Sequence, residues 1–193
     1  LIYVFDMGNN NDKALGTAFD YLEYLGTSDM TPEELKSEFY RLACTFYVSP
    51  GNERTYVVLS GLNENMPAAM QIFEKLLADA QVNKEAYDNL VGDILKARAD
   101  AKLNQGQNFS RLMNYAMYGP KSPATNLLTE AELASMNPQE LVDRIHNQNN
   151  YKHRILYYGP SSSKDLLATI EQYHQVPATL KDIPAGNEYS YLE

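Results

Sequence analysis

Only one cysteine stands among the 193 residues, Cys44, so no disulfide can close within the chain and no cysteine cluster can hold zinc. Among Leu42, Ala43 and Phe46 that thiol is expected to be a small buried hydrophobe. Basic residues are also scarce. Sixteen Lys and Arg stand against 25 Asp and Glu, a formal net charge of -9. Such a chain repels phosphate backbones, and no basic stripe offsets this, so nucleic acid is excluded as an expected partner. No apolar run approaches the length of a membrane span. There is no G-x-S-x-G elbow for a serine nucleophile and no glycine-rich phosphate loop; Gly51 and Gly61 read as isolated turn residues. Histidine is limited to His146, His153 and His174. A metal pair needs i, i+4 spacing on a helix or i, i+2 on a strand, and these residues have neither. They are expected to be surface or cap histidines.

What is present is material for a core. Hydrophobic residues make up 44% of the chain and aromatics 11%, enough for one domain and too much for a disordered one. The chain opens at Leu1, with no initiator methionine, on a run that already reads as a strand. It is expected to be a piece of a longer protein, with any targeting segment outside it.

The pattern along the chain alternates between the two periods. Leu1 to Phe5 is a β-branched and aromatic run, broken by Gly8-Asn9-Asn10-Asn11-Asp12. Leu15, Ala18, Phe19, Leu22 and Leu25 fall at helical spacing up to Gly26. Thr31-Pro32-Glu33-Glu34 opens a second helix with a threonine cap, proline at N1 and glutamate at N3. Thr45 to Ser49 and Arg54 to Ser60 read as a hairpin around Pro50-Gly51-Asn52-Glu53. Helices are then predicted through Met66 to Leu77, from Tyr87 towards Leu103, and from Phe109 to Tyr118 before Gly119-Pro120. Two further capping boxes, at Thr129 to Glu132 and Asn137 to Glu140, open short helices. Tyr151 to Tyr158 reads as a strand and Leu166 to Tyr173 as a last helix. This order predicts an α+β domain over residues 1–175, with helices packed on an antiparallel or mixed sheet. Residues 176–193 read as a linker or domain-edge segment.

Carboxylates are plentiful, and most are expected to be solvated or capping groups. Asp20 and Glu23 share a helix face, and with Asp93 or Asp100 they define a candidate oxygen-ligand site for magnesium or calcium.

The segment Gly16-Thr17-Ala18-Phe19-Asp20-Tyr21-Leu22-Glu23-Tyr24-Leu25-Gly26-Thr27 resembles the active helix of the pitrilysin/insulinase family of zinc metallopeptidases. That helix carries H-x-x-E-H within a context close to G-x-A-H-F-L-E-H-x-x-x-x-G-T. Two imidazoles one turn apart hold zinc, and the glutamate between them activates the bound water. The first ligand position falls here on Asp20, the base on Glu23 and the second ligand on Tyr24; the distal acid falls on Asp93, before Ile94. The frame is present and both histidines are missing. A neutral phenol is a weak ligand that deprotonates near pH 10, so the motif reads as a relic. Thr55 to Leu62 followed by Met66 to Leu77, and His153 to Pro160 followed by a helix, resemble later parts of the same fold.

Family members are built from repeated homologous domains in two halves. The resemblance therefore implies a non-catalytic domain from the second half, forming a wall of a substrate chamber. Zinc is expected in another domain of the parent chain and no cofactor in this one. The implied partners are those other domains and a peptide substrate that pairs with a sheet edge. An Arg and a Tyr of the second half hold substrate in this family, and Arg111, Tyr115 and Tyr118 are the candidates here. The overall charge is expected to steer basic or neutral peptides in preference to acidic ones. An alternative, from relatives that act as scaffold subunits, is a structural module with no role in proteolysis. The resemblance also extends to exported bacterial members, which implies a periplasmic or exported location.

Overall fold

Four strands, β1 (Ile2–Phe5), β2 (Cys44–Pro50), β3 (Thr55–Gly61) and β4 (His153–Leu156), form one sheet in the order β2-β3-β1-β4. Every pairing is antiparallel. The computed structural model describes residues 1–192. Eight helices accompany the sheet among these residues: α1 (Leu15–Leu22), α2 (Pro32–Arg41), α3 (Met66–Asp79), α4 (Lys84–Leu103), α5 (Gln105–Tyr118), α6 (Glu130–Ser135), α7 (Pro138–Asn147) and α8 (Ser163–Tyr173). The α+β architecture is as predicted, and the sheet is antiparallel rather than mixed.

The hairpin β2–β3 is closed by Gly51 donating its N–H to the Arg54 carbonyl at 2.8 Å. Alternation then points Cys44, Phe46 and Val48, with Val57 and Leu59, to the helical side. Phe46 meets Phe39 of α2 and Phe73 of α3 at centroid distances of 5.0 and 4.9 Å. Helices α1, α2 and α3 pack on the sheet; α7 rests on α1 and α3, and α8 on α3. Strand β4 is shorter than predicted because its partner runs out: Phe5 faces His153 and Ile2 faces Leu156. Tyr157 and Tyr158 therefore lie outside the sheet.

Local capping rules set most helix starts. At Thr31 and Thr129 the threonine side chain accepts from the N3 amide while the N3 glutamate reaches back. The box predicted at Asn137 is only a single cap. Its side chain accepts from Gln139, while the Glu140 amide already donates to the Asn137 carbonyl at 2.9 Å. Asn104 ends α4 and caps α5 through Gln107, so α5 begins earlier than its apolar pattern indicates.

Helix α4 buries Tyr87, Leu90 and Ala101, and α5 buries no residue at all. The α4–α5 hairpin thus leaves the core over much of its length. Beyond α8 the chain has no further helix or strand among the described residues, apart from a bridge of Lys181 to Tyr151. It runs back over the domain, with Asn187 donating to the Asn10 carbonyl and Leu192 to the Met117 carbonyl. No described helix is long and apolar enough to cross a membrane.

Candidate functional site

Helix α1 places the degenerate motif at the protein surface. Asp20 and Glu23 are exposed, and Tyr24 is 44% exposed. The helical reading through Leu25 is corrected: α1 ends at Leu22. Tyr24 and Leu25 donate to the carbonyls three residues back, at 3.0 and 3.1 Å, which tightens the last turn. The pitch change is held by Tyr21, whose hydroxyl donates to the Asn83 carbonyl at 2.6 Å, and by Gly26, pressed against the Met30 carbonyl. Tyr24 therefore lies past the end of the α-helix, in the tightened turn. Partial desolvation, and then neighbouring Glu23, push the Asp20 carboxyl above the ordinary carboxylate range. Asp93 is exposed on α4, where the contact to α1 is made by Tyr87 against Tyr21. Among the described residues no three His, Cys, Asp or Glu side chains are grouped to hold a metal ion, so the hard-cation site of Asp20, Glu23 and Asp93 does not form. Cys44 is buried, as expected, and burial pushes its thiol up.

The end of the motif opens instead on a groove. A cavity of about 910 Å³ lies between Tyr24, Lys36, Phe39 and Tyr40 on one side and Cys44 and Phe46 of β2 on the other. Strand β2 is an edge of the sheet, so its outer backbone is unpaired along this groove. An extended peptide can add there as a strand and seat an apolar side chain among the aromatic rings.

A second cavity, of about 720 Å³, lies between α4 and α5. Arg111 and Tyr115 line it together, across from Arg98 and Lys102. Tyr118 is not part of this group. It lines a separate surface hollow and stacks on Tyr191 at 4.9 Å between ring centroids.

Two of the three histidines form a cluster that pattern reading missed, while His146 lies apart with its Nε2 3.1 Å from the Ala80 carbonyl. Glu74 of α3 is buried, and its Oε1 accepts from the Tyr3 hydroxyl at 2.5 Å. The same oxygen lies 2.8 Å from Nδ1 of His174, and Asn149 donates to Oε2 at 3.0 Å. His174 is the C-cap of α8, as a cap reading expects, but it is buried, and its Nε2 lies 2.8 Å from Nε2 of His153. His153 Nδ1 donates to the Tyr151 carbonyl at 2.7 Å, which makes its Nε2 the acceptor of the pair. His174 then donates from Nε2 to His153, and its Nδ1 faces Glu74. Burial first, and Glu74 second, push the Tyr3 hydroxyl far up. A signal was available: Glu74 stands on the same face of α3 as buried Met70, Phe73 and Leu77.

This cluster makes stability depend on pH. Burial lowers the His153 pKa below its ordinary 6.5; the Tyr151 carbonyl offsets part of this, the facing His174 lowers it again, and Glu74 raises it least. Its other neighbours are the rings of Phe5 and Tyr3. Below pH 6.5 the unfolded chain takes a proton that the folded chain refuses, so stability falls as pH drops towards the folded value. Urea midpoints measured across this window are expected to decline, and His153→Gln is expected to flatten that part of the profile. An unchanged slope in the variant refutes the assignment.

No protein-family model matches the sequence, and no curated protein matches it. Solved structures do. The periplasmic protease PqqL from Escherichia coli superimposes with a TM-score of 0.75 at 14% identity, over 99% of this chain and 22% of that one. The ferredoxin protease FusC, in complex with Arabidopsis ferredoxin, gives 0.78 at 13% identity, over 99% of this chain and 21% of that one. A peptidase M16 inactive domain from Pseudomonas fluorescens gives 0.76 at 16% identity, over 97% of this chain and 48% of that one. The chain thus spans about a fifth to a half of the proteins it matches, and it has the fold of an M16 peptidase domain.

Proposed function

We propose that this chain is a non-catalytic domain of a pitrilysin-like M16 metallopeptidase and forms one wall of its substrate chamber. The observation that carries the reading is an M16 domain fold whose motif positions carry neither histidine and, among the described residues, gather no set of three metal-ligating side chains. Zinc, which the fold implies, does not fit the residues present. Asp20 is a single exposed carboxylate, and Tyr24 is a neutral phenol beyond the end of the helix, a weak ligand. The metal then belongs to another domain of a longer parent protein, and hydrolysis takes place there. This chain contributes binding: main-chain pairing at the β2 edge, and contacts from Arg111 and Tyr115 in the α4–α5 cavity.

A second reading, an assembly module, is favoured by one observation. Phe109, Leu112 and Met113 share a face of α5 and are all exposed, at 62%, 62% and 43%. Such a face suits packing against a neighbouring domain.

The purified chain, supplied with zinc and an unstructured peptide, is expected to release no product by mass spectrometry. The same peptide, fluorescently labelled, is expected to bind, and Arg111→Ala with Tyr115→Ala to weaken binding about tenfold without moving the melting temperature. Chelator-sensitive cleavage overturns the non-catalytic assignment. Absence of any peptide binding favours the assembly module.

A further inference from the structure

We propose that the α4–α5 cavity selects acidic polypeptide: a segment whose carboxylates meet Arg98, Lys102 and Arg111 while an apolar side chain packs on Leu112, Tyr115 and Leu127. This rests on the reading that the Arg111–Tyr115 cavity receives polypeptide, and it names the class received.

The argument starts from an imbalance. In a chain with 25 acids and 16 bases, this cavity is lined by three cations and one carboxylate, Glu130. Arg98 and Lys102 are one turn apart on α4, and Arg111 comes from α5 across the cavity. Elsewhere cations are used to neutralise acids: Arg54 and Arg154 both hold Asp6, and Arg144 holds Asp12. Among the described residues none of the three cavity cations makes an ion pair. Arg98 is nonetheless fixed, since its Nη1 donates to the Leu128 carbonyl at 2.7 Å. The guanidinium is held at the cavity wall without being neutralised, as an anion-receiving group must be.

Overall charge does not oppose this. At physiological salt, charges farther apart than about 8 Å are largely screened, so contact selectivity follows the cavity rather than the chain total. The total of -9 still works against nucleic acid, whose dense phosphate charge extends beyond the cavity. The apolar wall adds a second requirement, which a free anion or a sugar-phosphate cannot satisfy.

The test uses the whole chain and three labelled peptides of one length and apolar content: one rich in Glu and Asp, its Gln and Asn counterpart, and its Lys counterpart. Fluorescence anisotropy is expected to show the acidic peptide binding about tenfold tighter than the neutral one. The preference is expected to shrink with added salt and to vanish in Lys102→Gln with Arg111→Gln. Both side chains are exposed, so the variant is expected to melt as the parent does. Equal binding of acidic and neutral peptides overturns the acid selectivity and leaves peptide binding standing. An acid preference that survives the double substitution overturns the assignment to this cavity. Binding of none of the three overturns both readings.

Discussion

Replacing Glu74 with Leu is expected to lower stability by about 4 kcal/mol, although the two side chains have similar volume. The carboxylate is the common acceptor for the Tyr3 hydroxyl, the His174 ring and the Asn149 amide. Those donors come from β1, from the end of α8 and from the segment after α7. Leucine leaves all three without an acceptor, at about 1–3 kcal/mol for each buried group stranded. The residue is 8% exposed and His174 7%, so water cannot take over without opening the packing of α8 on α3. In a chain of this size the loss corresponds to a melting temperature lower by about 10 °C. Tyr3→Phe removes one donor and leaves the Glu74 acceptor with its other partners, and is expected to cost only about 1 kcal/mol. Chemical denaturation of both variants is the measurement. Equal losses would mean that the cluster is not organised around the carboxylate.

The second large effect is expected at Gly61, with Ala substitution costing about 3 kcal/mol. Gly61 faces Cys44 at the end of the β2–β3 ladder, with φ of 153°. A Cβ there would lie 2.4 Å from the Cys44 sulfur and 2.6 Å from both the Ala43 carbonyl oxygen and the Cys44 Cα. Two of those neighbours are backbone, and they belong to the turn that leads from α2 into β2. That turn already holds Ala43 at a positive φ of 49°. The clash can therefore be relieved only by moving β2, whose first residues floor the groove beside Tyr24. Cys44 gives a direct readout. Its thiol is buried and its ionisation suppressed by that burial, so it is expected to react slowly with a thiol reagent in the parent chain and much faster in Gly61→Ala. A variant that melts normally and keeps a protected thiol would refute this account of the hairpin end.

The two sites differ in how far the sequence announces them. Gly61 is legible as a turn residue, but its need for glycine comes from Cys44 and Ala43, which only strand pairing brings against it. Glu74 is legible as a charge out of place on an apolar face. Its partners are 71 and 100 residues away along the chain, at Tyr3 and His174, and no periodicity connects them. His153 and His174 lack metal-pair spacing, and folding brings their Nε2 atoms to 2.8 Å from each other across 21 residues of chain.

What the sequence determined by itself is whatever a few adjacent residues decide. Thr31 and Thr129 announced their helices because a capping box closes within four residues. The α+β order followed from the switch between two hydrophobic periods, and the absence of histidine at positions 20 and 24 is read from the letters alone. The tertiary structure decided what depends on distance through space. It ended α1 at Leu22, because Tyr21 is tied to Asn83 and Gly26 is pressed on Met30. It kept Arg111 with Tyr115 and turned Tyr118 towards Tyr191. It also gathered three cations at one cavity of an acidic chain. Net charge is a sum over all residues, whereas binding is set by the few charges within a screening length, and folding alone chooses which those are.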